Sequence, residues 1–143
     1  MVSKNFRIQE FVPRIEYTQH GEDSINLIDH RLIVIAQWLR DKTGKSITIN
    51  DWYKGGSFQN RGYRPADSSV GAPKSMHKKG MALDMNIGNM TGDEMRQLVR
   101  DNWEELKALG VRRIELGTSW LHIDLKETGV DHLVEVPFYT KPK

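Results

Sequence analysis

Two short stretches carry histidine and aspartate residues at spacings that suit a metal site. Residues 75–84 read SMHKKGMALD, and residues 120–124 read WLHID. A catalytic zinc ion usually binds three side chains from His, Asp, Glu or Cys and keeps a fourth position open for water. Because the chain has no cysteine, nitrogen and oxygen atoms would have to bind any zinc ion here.

Apolar alternation predicts that these residues lie on the sheet face that points away from the core. The odd-numbered residues of 81–87 are apolar, which puts Asp84 on the opposite face. Residues 120–125 alternate in the same way, with His122 on the non-core face. His77 precedes a glycine turn into the strand over 81–87, so its side chain can converge with that of Asp84. Each residue alone is more simply explained as a surface polar residue, and spacing alone leaves both interpretations open.

Two amphipathic helices are predicted to support these strands, over residues 24–42 and 92–109. The first has an N-cap candidate at Asp23 or Ser24. The second follows TGDE at residues 91–94, which is typical of a capping box. A glycine follows each helical pattern closely, as expected at a helix C-terminus.

The remaining pattern predicts short strands and one long loop. The strands are expected at 46–50, 81–87, 111–116, 120–125 and 133–136. Residues 51–74 are rich in Gly, Ser and Pro and contain four aromatic residues, so we expect an ordered loop on the substrate side. Together these elements predict an α+β fold in which a small antiparallel sheet is flanked by helices, in a single domain over residues 1–143.

Composition excludes several classes of function. The formal net charge of +2 comes from Lys and Arg residues interleaved with acids, which argues against nucleic-acid binding. No apolar run is long enough to cross a bilayer, and the N-terminus lacks the apolar run of a signal peptide. We therefore expect a protein that is synthesised in the cytoplasm and does not bind membranes, and separately we expect a monomer.

Residues 75–84 resemble the SxHxxGxAxD pattern of zinc D-alanyl-D-alanine carboxypeptidases and related L-alanyl-D-glutamate endopeptidases, whose fold is shared with the hedgehog signalling domain. The five fixed positions are all present: Ser75, His77, Gly80, Ala82 and Asp84. The resemblance extends upstream to RGYR at residues 61–64 and downstream to WLH at residues 120–122. It covers residues from about 6 to 126.

This resemblance implies specific roles. The implied Zn²⁺ ligands are His77, Asp84 and His122. Arg64 matches a family arginine that engages the substrate near the scissile bond, and a guanidinium suits a carboxylate or a developing oxyanion. Ser75 and Trp120 are further candidates for substrate binding. A solvated loop arginine and a turn serine are the alternatives for Arg64 and Ser75.

The general base is harder to assign. Many family members carry an acid three residues before the last ligand, where this chain has Ser119, which cannot deprotonate water. Glu115 is our candidate because the turn after it could fold it back toward the metal. The alternative is an ion pair of Glu115 with Arg112 or Arg113. Asp124, on the same strand face as His122, is expected to contact this last ligand and fix its orientation without binding the metal.

The resemblance implies a zinc peptidase of bacterial or phage type that cleaves peptidoglycan stem or cross-link peptides containing D-amino acids. It would act as a carboxypeptidase or an endopeptidase. Without a signal peptide, it would reach the wall after release by a phage or as part of a virion, or would recycle wall peptides in the cytoplasm. Two alternatives remain open: a zinc-binding domain with a structural or recognition role, and a metal-free interaction domain of a larger particle.

Overall fold

The computed structural model describes residues 1–72 and 74–138 and has an α+β fold. The α helices in these residues are Arg14–His20 (α1), Arg31–Thr43 (α2), Gly92–Asp101 (α3) and Trp103–Leu109 (α4). The strands are Ile47–Thr48 (β1), Ala82–Ile87 (β2), Arg113–Leu116 (β3), Leu121–Asp124 (β4) and Val134–Pro137 (β5). Short 3-10 helices span Ile8–Glu10, Gly21–Leu27, Trp52–Lys54 and Met76–Lys79. No helix in the described part of the chain is long and apolar enough to cross a membrane.

The five strands form one mixed sheet in the order β1-β2-β4-β3-β5. Three neighbouring pairs are antiparallel, as predicted. The fourth pair, β3 with β5, is parallel, so the prediction of a purely antiparallel sheet is wrong at this edge. Alternation within a strand tells which residues are buried, but it does not encode the direction of the partner strand.

The predicted alternation in the two central strands is confirmed. Leu83, Met85 and Ile87 of β2 are buried in the core, as are Leu121 and Ile123 of β4. They pack with buried residues of α2 and α3, including Leu32, Leu39 and Met95. Full burial of such a side chain contributes about 1.5–3 kcal/mol. The opposite face of both strands is therefore left to polar residues.

Helix α2 begins at Arg31, and the prediction of one helix over 24–42 with an N-cap at Asp23 or Ser24 is wrong. The Ser24 hydroxyl donates to a carbonyl within the preceding 3-10 helix, and Ile28 is extended, with φ −110° and ψ 154°. The amide of Asp29 donates to the carbonyl of Gly80 at 2.8 Å. This tertiary hydrogen bond joins the start of α2 to the glycine turn that follows His77.

The second predicted helix begins as expected and is then interrupted. Thr91 and Glu94 form the predicted capping box. Asn102 has φ −116° and ψ 26°, which separates α3 from α4, and its side-chain amide donates to a carbonyl of the previous turn. Helix α4 ends at Leu109 with Gly110 as its C-cap, as predicted.

The aromatic residues of the 51–74 loop pack onto the N-terminal segment and the core. The Trp52 indole donates to the carbonyl of Val12 at 2.8 Å, and Tyr63 packs against the core. The guanidinium carbon of Arg61 lies over the Phe58 ring, 3.9 Å from the ring centroid. These contacts hold the loop in place, so the prediction of an ordered loop is confirmed, and its position on the substrate side stays a prediction.

Gly80 is required by both its conformation and its neighbours. Its φ is +67°, and an added Cβ would lie 2.0 Å from the carbonyl oxygen of Leu27. We expect Gly80→Ala to lower the free energy of unfolding by more than about 2 kcal/mol, measured by urea denaturation, because left-handed strain and a backbone clash add together. Gly129→Ala is the matched control, since Gly129 has φ +74° but no atom within 4 Å of an added Cβ. Equal losses in both variants would contradict the role of the close contact.

Candidate metal centre

Three buried side chains meet where β2 and β4 pair next to the 3-10 helix Met76–Lys79. Asp84 and His122 are directly opposite each other in the antiparallel ladder, and His77 approaches from the 3-10 helix. Their exposures are 2% for His77, 6% for Asp84 and 3% for His122. One potential ligand atom from each lies within 4.8 Å of the others. These three residues therefore lie close enough to bind one metal ion.

His77 carries an unpaired nitrogen that fits a metal ion. Its Nδ1 lies 2.9 Å from the carbonyl oxygen of Gly62, and because a carbonyl can only accept, Nδ1 holds the proton. The Nε2 atom is buried and has no hydrogen-bond partner among the described residues. Asp84 Oδ1 lies 3.1 Å from it, so both atoms can reach one ion. A cation between them would satisfy both.

His122 is oriented from behind by a carboxylate. Its Nε2 lies 2.8 Å from Oδ2 of Asp124, which is fully buried. Arg113 donates to both oxygens of Asp124 from Nε and Nη2, at 2.9–3.2 Å. This ion pair keeps Asp124 available as an acceptor for His122 Nε2. The other ring nitrogen of His122, Nδ1, faces Asp84 Oδ1 at 2.8 Å. Such support behind a histidine ligand fixes its tautomer and raises its basicity.

The pKa values of Asp84 and His122 are shifted in opposite directions by their close contact. Burial alone would raise the pKa of Asp84, but the imidazoles of His77 and His122 lower that pKa below its usual range. Burial alone would lower the pKa of His122, but hydrogen bonds to Asp124 and Asp84 raise that pKa to about 10. Metal binding would therefore displace a proton from His122.

Arg64 lies beside the cluster. Its Nη2 is 3.3 Å from Oδ2 of Asp84, and its Nε donates to the carbonyl of Asn60 at 2.8 Å. Only 11% of the side chain is exposed, and burial lowers the pKa of the guanidinium. The loop closes over it at Gly71, where an added Cβ would lie 2.4 Å from Nη1 of Arg64. Arg64 is therefore a fixed cation in the wall of the site.

Glu115 is close to the predicted ligands. Its Oε1 lies 3.5 Å from Nδ1 of His122, and 19% of its side chain is exposed. Burial raises the pKa of the carboxyl despite the opposing effect of the nearby imidazoles. Arg113 pairs with Asp124 and Arg112 with Glu127, and neither lies within 4.0 Å of Glu115 in the described structure. The geometry thus places Glu115 at the site rather than in the alternative ion pair.

The cluster opens into a cleft of about 500 Å³. Ser75 lines it and accepts a hydrogen bond from the amide of His77 at 3.2 Å, which supports the turn that carries His77. Trp120 also lines it and packs edge-on against Phe138, with ring centroids 5.4 Å apart. The other lining residues include Val70, Ala72, Lys74, Lys126, Val136 and Pro137.

Sequence reasoning missed two parts of this site. One is Arg113, whose pairing with Asp124 follows from the β3–β4 register. The other is the wall formed by β5 and Phe138, which continues beside β3. Both depend on which strands are neighbours. One local signal could have indicated Arg113. It precedes the core residue Ile114 in β3, so its side chain lies on the opposite face of the strand.

Asp124→Asn is expected to weaken metal binding about 10–100-fold, the usual cost of losing a partner behind a ligand. The amide keeps the shape of the side chain but loses the charge that holds His122 Nε2 and Arg113. Competition with a chromophoric zinc chelator measures the affinity. Asp131→Asn is the matched control because the Asp131 side chain is fully exposed. Unchanged affinity in Asp124→Asn would show that this carboxylate does not support the ligand.

Comparisons of the chain with protein-family models, with curated proteins and with solved structures found no match. The resemblance of residues 75–84 to a peptidase pattern therefore remains a likeness of short motifs. The convergence of the three side chains is a separate observation, made from the fold itself.

Proposed function

We propose that this chain is a zinc-dependent peptidase that hydrolyses a peptide bond in bacterial peptidoglycan stem or cross-link peptides, with the fold of the carboxypeptidase and hedgehog group. The observation that carries the proposal is the convergence of His77, Asp84 and His122 at the base of an open cleft. The unpaired Nε2 of His77 adds weight, because a buried polar atom without a partner is costly unless a ligand satisfies it.

Zinc is the metal that suits this donor set best. Two imidazole nitrogens and one carboxylate oxygen form a common catalytic zinc set, and the cleft leaves access to a further position. All-oxygen sites suit magnesium and calcium instead. When bound, zinc lowers the pKa of a coordinated water and polarises a carbonyl oxygen.

Protein groups around the cluster supply the other requirements of peptide hydrolysis. Glu115 accepts a proton from the attacking water and returns it to the leaving amine, and its partly buried carboxyl with a raised pKa suits both steps. Arg64 holds a substrate carboxylate or the developing oxyanion with its fixed guanidinium. Ser75 and Trp120 line the path of the substrate.

The cleft walls suit a peptide that carries both apolar and acidic groups. One wall is aromatic and apolar, with Trp120, Pro137 and Phe138, while Lys74 and Lys126 add positive charge. The choice of peptidoglycan, with its D-amino acids, follows from the motif resemblance. The protein would be made in the cytoplasm and would meet the wall after release or on a phage particle.

A zinc-binding domain without catalysis is the second candidate. It is favoured by Ser119, which occupies the position where many members of the peptidase family that residues 75–84 resemble carry an acid. In that case Glu115 would contribute only to the electrostatics of the metal site. The two candidates share the metal centre and differ in turnover.

Incubation of the zinc-loaded chain with purified wall peptides tests the proposal. We expect mass spectrometry to show one defined cleavage, which stops on addition of a chelator and returns with zinc. One equivalent of bound zinc without cleavage of any wall peptide would favour the non-catalytic domain. If the chain binds no metal and a chelator changes neither its melting temperature nor any activity, a metal-free interaction domain becomes the better interpretation.

A further inference from the structure

Arg96 is a buried cation that joins α3 to the turn between β3 and β4. It is 4% exposed, and its one carboxylate partner within 4.0 Å among the described residues is Asp93, whose side chain is 95% exposed. Its Nη1 donates to both the carbonyl oxygen of Thr118, at 3.0 Å, and the hydroxyl of Thr118, at 3.3 Å. A buried cation is costly compared with an apolar side chain of similar volume, so stability alone does not explain this choice of residue.

The contact continues through the turn. Thr118 is 7% exposed, and its hydroxyl donates to the carbonyl of Trp120 at 2.6 Å. Helix α3 reaches this turn closely because its first residue is Gly92, where an added Cβ would lie 2.1 Å from the carbonyl oxygen of Thr118. Gly92, Arg96 and Thr118 thus form a clamp on the turn.

The position of this turn matters because the ladder between β3 and β4 stops short of the site. The last pair in that ladder is Ile114 with Ile123. Glu115 and His122 come next in the register, yet no ladder pair joins them. Their 3.5 Å contact therefore depends on how the turn beyond them is held.

We infer that Arg96 is a positioning residue, which acts through Thr118 to hold Glu115 and Trp120 against the cleft. This inference rests on the proposed function, in which Glu115 moves the proton and Trp120 lines the substrate path. Arg96 contacts neither the three converging side chains nor the cleft in the described structure, so we expect its substitution to leave the candidate metal centre intact.

The test uses a pair of variants at Thr118. Thr118→Val keeps the shape but removes the hydroxyl, whereas Thr118→Ser keeps the hydroxyl. We expect Thr118→Val and Arg96→Met to lower kcat on the order of tenfold or more, since small misplacements of a catalytic group are costly. KM and zinc stoichiometry should change less than about twofold, and Thr118→Ser should stay close to the wild type. Thr128→Val, at a position outside the clamp, is the control for loss of a hydroxyl.

A second measurement is independent of turnover. We expect Thr118→Val, but not Thr118→Ser, to shift the Trp120 indole and Glu115 amide resonances in NMR spectra of the zinc-loaded chain. If the wild type cleaves no peptide, the proposed function fails, while these shifts still support the clamp and their absence overturns it. A lower melting temperature with unchanged kcat and unchanged resonances would show that Arg96 is merely structural. Because Thr118→Val is a mild change, this result remains accessible even if Arg96→Met does not fold.

Discussion

Replacing His77 by Ala is expected to abolish both zinc binding and hydrolysis of wall peptides. The variant loses the buried Nε2 atom that lies 3.1 Å from Asp84 Oδ1 and has no hydrogen-bond partner among the described residues, and it leaves two of the three converging side chains. Zinc should also stabilise the wild type by about 2.7 kcal/mol when its free concentration is 100 times Kd, and this stabilisation should vanish in the variant. Metal analysis after gel filtration, thermal unfolding with and without zinc, and mass spectrometry of digests measure these effects.

The matched control is His20→Ala, which removes an exposed imidazole at the end of α1. It should bind one equivalent of zinc and cleave as the wild type does. Circular dichroism of both variants checks that the fold persists, because His77→Ala also leaves the Gly62 carbonyl without its donor. Hydrolysis retained by a folded His77→Ala variant would overturn the assignment of the metal centre.

Part of the convergence of His77, Asp84 and His122 was predictable because it depends on local pattern. Period-two alternation places Asp84 and His122 on the polar faces of their strands, and a glycine turn places His77 near the first of them. The structure adds that these two strands are neighbours and that both residues occupy the same rung. Burial of the polar face was not predictable, because the residues that surround it come from the 51–74 loop and from β5 at the edge of the sheet.

The features that sequence reasoning missed or misassigned depend on contacts between distant segments. Helix α2 begins late because the amide of Asp29 bonds to Gly80 instead of continuing a helix. The parallel edge strand and the support of Asp124 by Arg113 follow from strand order and register. Each of these contacts joins residues whose spacing along the chain carries no periodic signal. The same contacts build the surroundings of the candidate metal centre, which is why His77, Asp84 and His122 could be predicted better than the residues that support them.

Glu115→Gln is expected to separate a peptidase from a zinc-binding domain. The amide matches the carboxylate in shape but cannot accept a proton from water. A general base contributes about 10²–10⁴-fold to rate, so kcat should fall by that factor, while KM changes little and one equivalent of zinc remains bound. Steady-state cleavage of a defined wall peptide, with metal analysis of the same sample, measures all three quantities.

Glu127→Gln is the matched control for this variant, because it removes a carboxylate whose side chain is 78% exposed and pairs with Arg112. It should leave kcat unchanged. If Glu115→Gln cleaves at the wild-type rate, the proton must pass through another group, and Asp124 is a poor substitute because Arg113 and His122 already occupy its oxygens. Loss of zinc together with loss of activity would instead make Glu115 part of the metal centre, since its Oε1 lies only 3.5 Å from His122 Nδ1. A proton acceptor is therefore identified by lost turnover with the metal retained.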